Sequence, residues 1–281
     1  MAAYLELAAQ GRVDTDKLTS AVHPLDMAGD AFEALQSGDS PPLLVLLHYP
    51  GDAAPDIRRV ELSAPTSRRR GRLRMAIAGA GNFVCNLHLP NMERLEEQIE
   101  IAAVMSRTGH QAAEVARQFG AGYATTDFDE LLNDADVDAV LIGSRHDSHA
   151  ELALRALEAG KHVFVEKPLA LNPEDLRTIR DFYTAAADGI NPLLLTGYNR
   201  RFSPFAEKIR RIMASRTNPA IINYRLNAGH LPDDHWVQGP EGGGRNIGEA
   251  CHVYDLFTYL TGARVRTVDA QSILPQTGFY R

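Results

Sequence analysis

Residues 73–84, LRMAIAGAGNFV, run an apolar segment into a glycine turn and open onto a helical stretch. An apolar strand that ends in Gly-x-Gly before a helix is the entry to a dinucleotide-binding unit. Gly79 permits the tight turn, Gly81 removes the Cβ that would block a pyrophosphate, and the free N–H groups of the helix then face the anion. The third position of the usual fingerprint is Val84 rather than glycine or alanine, so helix and strand are expected to pack slightly further apart. A purely structural tight turn is the competing reading, and the surrounding sequence has to decide between them.

From residue 73 onward, apolar runs, turns and helical patterns alternate. EIAAVMSR (100–107), VDAVLIGSR (137–145) and HVFVEKP (162–168) read as further strands. HQAAEVARQFG (110–120) and SHAELALRALEAG (148–160) carry apolar residues at helical spacing between them. Short β-branched strands joined by crossover helices require a parallel sheet covered on both faces. The fold class is therefore α/β, a Rossmann doubly wound parallel sheet over 73–192. Asp127 and Ser148 stand where helices should begin and can cap their free N–H groups, and Gly160 stops a helix.

After residue 192 the texture changes to α+β pieces, predicting a partial substrate domain over 193–281. A helix is expected through FAEKIRRIMAS (205–215), an alternating strand in AIINYRLNAG (220–229), a helix in GEACHVYDLFTYLTG (248–262) and a strand in RVRTVDAQSIL (264–274). Ahead of the sheet, residues 1–52 hold helical patterns in AAYLELAAQ and MAGDAFEALQSG and a strand-like PPLLVLLHYP. Residues 53–72, rich in Pro, Gly and Arg, read as a linker. The arginines between Arg68 and Arg74 fit a solvated connection better than a surface for nucleic acid or membrane.

Composition sets the outer bounds. The 281 residues are 44% apolar and 23% charged, with a formal net charge of −7, so two cores can be built and no sustained basic surface exists for a phosphate backbone. The apolar runs are too short to span a bilayer, and the first residues lack the basic-then-apolar order of a signal peptide, which implies a cytoplasmic protein. Cys85 and Cys251 are too few for a disulfide framework, and they lack metal-ligand spacing.

The residues at the carboxyl ends of the expected strands are the candidate site, because ligands of open α/β sheets bind there. At the second strand, Ser106 and Arg107 offer a hydroxyl and a guanidinium where an NAD enzyme usually carries a carboxylate; these can hold a 2′-phosphate, so NADP is favoured over NAD. The third strand contributes Ser144, His146 and His149, with no third ligand at a spacing that suggests a metal. His149 either packs near the cofactor or caps its helix. Glu166 and Lys167 close the fourth strand. A charged pair there is costly to bury without partners or a task, unless the strand simply emerges into solvent.

These motifs resemble the glucose-fructose oxidoreductase and inositol dehydrogenase family, Gfo/Idh/MocA, over about residues 73–262. GAGNFV matches its dinucleotide turn, with Asn82 and Phe83 beside the cofactor. VDAVLIGSRHDSHAELALRALEAGKHVFVEKPLAL matches its central signature, and GGGRNIGEACHVYD its substrate-domain helix. The resemblance implies that Glu166 contacts the cofactor, that Lys167 lies beside nicotinamide and substrate, and that His252 moves the proton of the reacting hydroxyl. It also implies copies associating as a homo-oligomer through the substrate-domain sheet. Many relatives carry an aspartate four residues before this histidine; here that position is Gly248, and Glu249 replaces it only if the backbone turns it inward. Asp255 is expected to brace the helix, and Trp236 to line a sugar pocket. The implied activity is NAD(P)-dependent oxidation or reduction at a secondary hydroxyl or ketone of a sugar, polyol or nucleotide-sugar. A nucleotide-binding module without turnover and a redox-neutral, NAD-dependent glycosidase are the alternatives. Residues 1–52 resemble instead the carboxyl-terminal part of a zinc alcohol dehydrogenase-like, medium-chain reductase, as in bi-domain oxidoreductases.

Overall fold

The computed structural model describes residues 6–7, 9–13, 18–36, 42–49, 58–62, 71–185 and 191–271. They fall into two units, residues 1–57 and 58–281. In the first, β1 (Ala21–Pro24) and β2 (Val45–His48) pair in parallel, with helix α1 (Ala28–Gln36) between them in sequence. β2 and α1 lie within the expected strand and helix; β1 was not anticipated, because four residues ending in proline carry little pattern. The helix read in AAYLELAAQ lies largely outside the described residues.

Among the described residues, the second unit is built on a seven-stranded sheet. Its strands are β3 (Arg59–Glu61), β4 (Leu73–Ala78), β5 (Ile99–Met105), β6 (Tyr123–Thr125), β7 (Ala139–Ile142), β8 (His162–Val165) and β9 (Leu194–Thr196), in the spatial order β3-β6-β5-β4-β7-β8-β9. All neighbours run parallel except β3, which is antiparallel to β6. The strand order reverses beside β4, and such a reversal opens a crevice at the carboxyl edge.

Alternation explains the two layers. Met75 and Ile77 of β4 pack with Val84, Leu89, Val104 and Val115 on one face, and Ala76 and Ala78 pack with Val140, Val163, Leu131 and Leu157 on the other. Helices α2 (Leu89–Glu93), α3 (Gly109–Gln118), α4 (Phe128–Asn133), α5 (His149–Glu158) and α6 (Pro173–Ala185) connect the strands. Asp127 caps α4 as expected, its Oδ1 accepting from the Asp129 amide at 3.0 Å. Ser148 does not cap α5; its hydroxyl donates to Arg145 O at 2.8 Å instead. Gly160 lies just past α5 with φ +76°.

Two boundaries move. Arg59–Glu61, read as part of a linker, form the edge strand β3, which three residues can do because β6 supplies the ladder. Leu194–Thr196, read as substrate domain, pair with β8 and complete the sheet.

Beyond β9, α7 (Pro204–Ala214) is capped by Ser203, whose hydroxyl accepts from the Ala206 amide at 3.2 Å, and α8 (Cys251–Thr261) ends at Gly262 with φ +67°. Both helices match expectation. The strands expected at 220–229 and 264–274 do not form in the described residues, which reach 271. A strand needs a ladder partner for its N–H and C=O groups, and no described segment supplies one. Ile221 is left 91% exposed and Val268 83%. The substrate-domain sheet expected to join copies of the chain is accordingly absent among the described residues. No described helix is long and apolar enough to cross a membrane.

Candidate active site

The glycine turn is clamped between two strand ends. Gly79 adopts φ +104°, donates to Met105 O at 2.9 Å, and would place a Cβ 2.7 Å from the Ser144 amide nitrogen. Only glycine fits there. Gly81 differs: its nearest neighbour to an added Cβ is Gly143 O at 3.9 Å, so the space a side chain would fill lies open beside the first helical turn. That is the cradle a pyrophosphate needs, and the residues fit a dinucleotide. The buried Val84 finds its room at Gly143, where a Cβ would lie 2.3 Å from Val84 Cγ2. Asn82 and Phe83 are exposed on the same turn.

At the end of β5, Ser106 is buried, and its hydroxyl donates to Gln111 Oε1 at 2.9 Å. This corrects the expectation that Ser106 helps hold a 2′-phosphate, since its one proton is already given away. Arg107 is exposed.

The β8 end answers why a carboxylate and an ammonium sit there: both have partners. Glu166 Oε1 lies 2.7 Å from His88 Nε2, and its carboxylate fills the space a Cβ on Gly197 would take. His88 comes from the turn that follows Gly81, and its ring lies edge-on to Phe83 and Phe164, each at 5.4 Å between centroids. Lys167 Nζ reaches across to donate to Gly248 O at 2.8 Å. The strand end is thereby joined to the segment leading into α8.

One turn further on, His252 lies edge-on to Tyr198 at 6.2 Å, with its Nδ1 buried and without a hydrogen-bond partner. Burial first, and then the cations of Lys167 and Arg200, push its pKa down to about 4. The ring is neutral at pH 7. Gly248 stands where a carboxylate was sought, and an added Cβ would meet His146 Cε1 at 3.2 Å. Glu249 does not take its place. Its two oxygens accept from Arg245 Nε and Nη2, each at 3.0 Å, so the expectation of a catalytic Glu249 is corrected: the carboxylate is held in an ion pair. Asp255 braces α8 by pairing with Arg201.

The β7 end is tied down by imidazoles. His149 Nδ1 lies 2.7 Å from Pro168 O and its Nε2 3.2 Å from Ser144 O; the ring packs between the β7 and β8 ends rather than capping its helix, and when neutral it donates to one of these carbonyls only. His146 Nδ1 lies 2.9 Å from Gly242 O, and its ring meets Trp236 edge-on at 4.9 Å. Burial lowers the pKa of both histidines. Trp236 in turn lies under the Arg145 guanidinium at 4.0 Å. Ser144 Oγ is 2.6 Å from Ser148 Oγ. Among the described residues, no three His, Cys, Asp or Glu side chains could hold a metal ion. Sequence reasoning missed His88 and Gln111. His88 falls seven residues after Gly81, a spacing that returns to the same helix face and could have flagged it.

Residues 73–187 match the family described as an oxidoreductase family with an NAD-binding Rossmann fold, GFO_IDH_MocA. The chain is 32% identical over 219 residues to a 4-carboxy-2-hydroxymuconate-6-semialdehyde dehydrogenase of Sphingobium sp., covering 73% of this chain and 65% of that protein. It is 30% identical to a myo-inositol 2-dehydrogenase of Thermotoga maritima, covering 70% of this chain and 58% of that protein. The solved structure of a probable dehydrogenase from Thermotoga maritima superposes with a TM-score of 0.57 at 27% identity, covering 69% of this chain and 56% of that one. The chain thus spans less than two thirds of the curated relatives it matches.

Proposed function

We propose that this chain, whose residues 73–187 carry the NAD-binding Rossmann fold of the Gfo/Idh/MocA oxidoreductase family, is an NAD(P)-dependent oxidoreductase acting at a secondary hydroxyl or ketone of a sugar, polyol or nucleotide-sugar. The observation that carries this reading is the Lys167 Nζ to Gly248 O hydrogen bond at 2.8 Å. It draws the cation at the β8 end to the turn before His252, whose buried Nδ1 lacks a partner.

A bound nicotinamide supplies the carbon that takes or gives hydride. The chain's own groups handle charge and protons. The Lys167 ammonium stabilises negative charge developing on the substrate oxygen. His252, neutral at pH 7, has one unprotonated ring nitrogen to receive the hydroxyl proton. Its pKa of about 4 makes it a weak base that passes the proton on readily rather than storing it. Glu166, fixed by His88, forms the floor beside them. NADP is favoured over NAD because the exposed Arg107 follows β5 and no carboxylate stands there to repel a 2′-phosphate.

The test is nicotinamide absorbance during turnover with a panel of inositols, aldoses and nucleotide-sugars. Net cofactor reduction or oxidation is expected, and Lys167→Ala should lower kcat by about 100-fold or more, the cost of losing one charge-stabilising group. Survival of turnover in that variant with less than about a tenfold loss, roughly 1.4 kcal/mol of barrier, refutes the lysine's role. A second reading, a nucleotide-binding module without turnover, is favoured by the engagement of Glu249 with Arg245. Cofactor binding with no net redox change on any substrate would select it. Residues 1–52 are read as the end of a medium-chain reductase, a reading supported by the parallel β1–β2 pair with α1 between its strands.

A further inference from the structure

Gln111, in the first turn of α3, connects the glycine turn to the end of β5. Its Nε2 lies 2.7 Å from Ala80 O, and its Oε1 2.9 Å from Ser106 Oγ. Neither end of this chain of hydrogen bonds is free to reverse. A peptide carbonyl can only accept, so the amide nitrogen must face Ala80 and the amide oxygen must face the hydroxyl. An amide oxygen also only accepts, so Ser106 must donate its single proton to Gln111. Toward anything else, Ser106 offers lone pairs alone.

The end of the second parallel strand is where a doubly wound sheet meets the adenosine ribose. A hydroxyl that can only accept suits a 2′-OH, which donates; it disfavours a 2′-phosphate, which presents acceptor oxygens and negative charge. We propose that Gln111 tunes cofactor specificity against the NADP preference set by Arg107: by taking the Ser106 proton it makes Ser106 a reader of the unphosphorylated ribose and leaves a 2′-phosphate to Arg107 alone. The same side chain acts at the pyrophosphate end. In a trans peptide the N–H points away from the C=O, so holding Ala80 O also fixes the direction of the Gly81 amide at the open cradle. Gln111 is a positioning residue for both parts of the dinucleotide, and this role rests on reading Gly79–Gly81 as a dinucleotide turn.

The experiment is a set of dissociation constants for NADH and NADPH, measured by calorimetry on the full chain as wild type, Gln111→Met, Ser106→Ala and the double variant, with thermal melts alongside. Methionine keeps the length of glutamine and neither donates nor accepts comparably. Gln111→Met should release the hydroxyl proton and shift the NADH-to-NADPH ratio of dissociation constants about fivefold toward NADPH, the scale of one hydrogen bond. The double variant should lose that shift, and Ser106→Ala alone should weaken NADH while leaving NADPH within twofold. A ratio in Gln111→Met within twofold of wild type, or a shift that persists without Ser106, overturns the role of Gln111. Failure of the wild type to bind either nucleotide overturns the dinucleotide reading beneath it, and the two failures are told apart by that one measurement.

Discussion

The dinucleotide-binding half and the segment after β9 treat their apolar residues in opposite ways. In the first, Ile77, Val104, Leu141 and Val165 are fully buried between helices on both faces of the sheet. In the second, α7 leaves Phe205, Ile209 and Ile212 exposed, spaced four and three residues apart along one helix face, and Ile221 and Val268 lie open as well. Helices form in both regions because capping and spacing are local. Among the described residues, strands form only in the first, because their hydrogen bonds need a neighbour. The contrast teaches that the sheet carries a buried core of its own, while the segment leading into α8 is tied to it by polar contacts, among them Lys167 to Gly248 and His146 to Gly242.

This comparison can be broken at several points. Ile77→Ala should destabilise the chain by about 2–5 kcal/mol in chemical denaturation, as for other fully buried large-to-small changes; a cost near zero would mean the sheet core is not what holds the fold. Gly79→Ala should cost about 1–3 kcal/mol through its φ of +104° and the collision with Ser144, and it should weaken nucleotide binding in the same calorimetric assay.

Acid should act next. Folded His252 has a pKa near 4 against an ordinary 6.5, and His146 and His149 are shifted in the same direction by burial. The unfolded chain therefore binds more protons than the folded one between these values. Stability is fully present above about pH 6.5 and drains as pH falls toward 4, so the thermal midpoint should drop by a few degrees between pH 7 and 5. A midpoint that rises over this range contradicts the assignment of three neutral imidazoles. Phe205→Ala, at 80% exposure, should change stability by no more than about 0.5 kcal/mol, in contrast to Ile77.

How much could be read in advance follows the same division. AVLI of β7 and the AIAGAG of β4 announce themselves because a buried parallel strand must be apolar on both faces and its turn must be glycine. The placement of Ser144, His146, Glu166 and Lys167 at strand ends follows from that sheet. What the sequence could not carry were contacts between distant positions: His88 with Glu166, 78 residues apart, and Gln111 with Ala80, 31 apart. The direction of Glu249 was not legible either, because the choice between His252 and Arg245 depends on which face of one helical turn it occupies. The alternation in AIINYRLNAG was genuine but unpartnered, and RVE of β3 had no pattern until β6 gave it a ladder.

The central claim is that the strand-end ammonium and the helix imidazole converge. Proton-detected NMR titration of His252 in the wild type and in Lys167→Met tests it without any substrate. The account predicts a wild-type His252 that stays neutral down to about pH 4 and an upward shift, short of 6.5 because burial is the larger cause, when the lysine charge is removed. A His252 whose titration is the same in both proteins would place the two groups apart and contradict it.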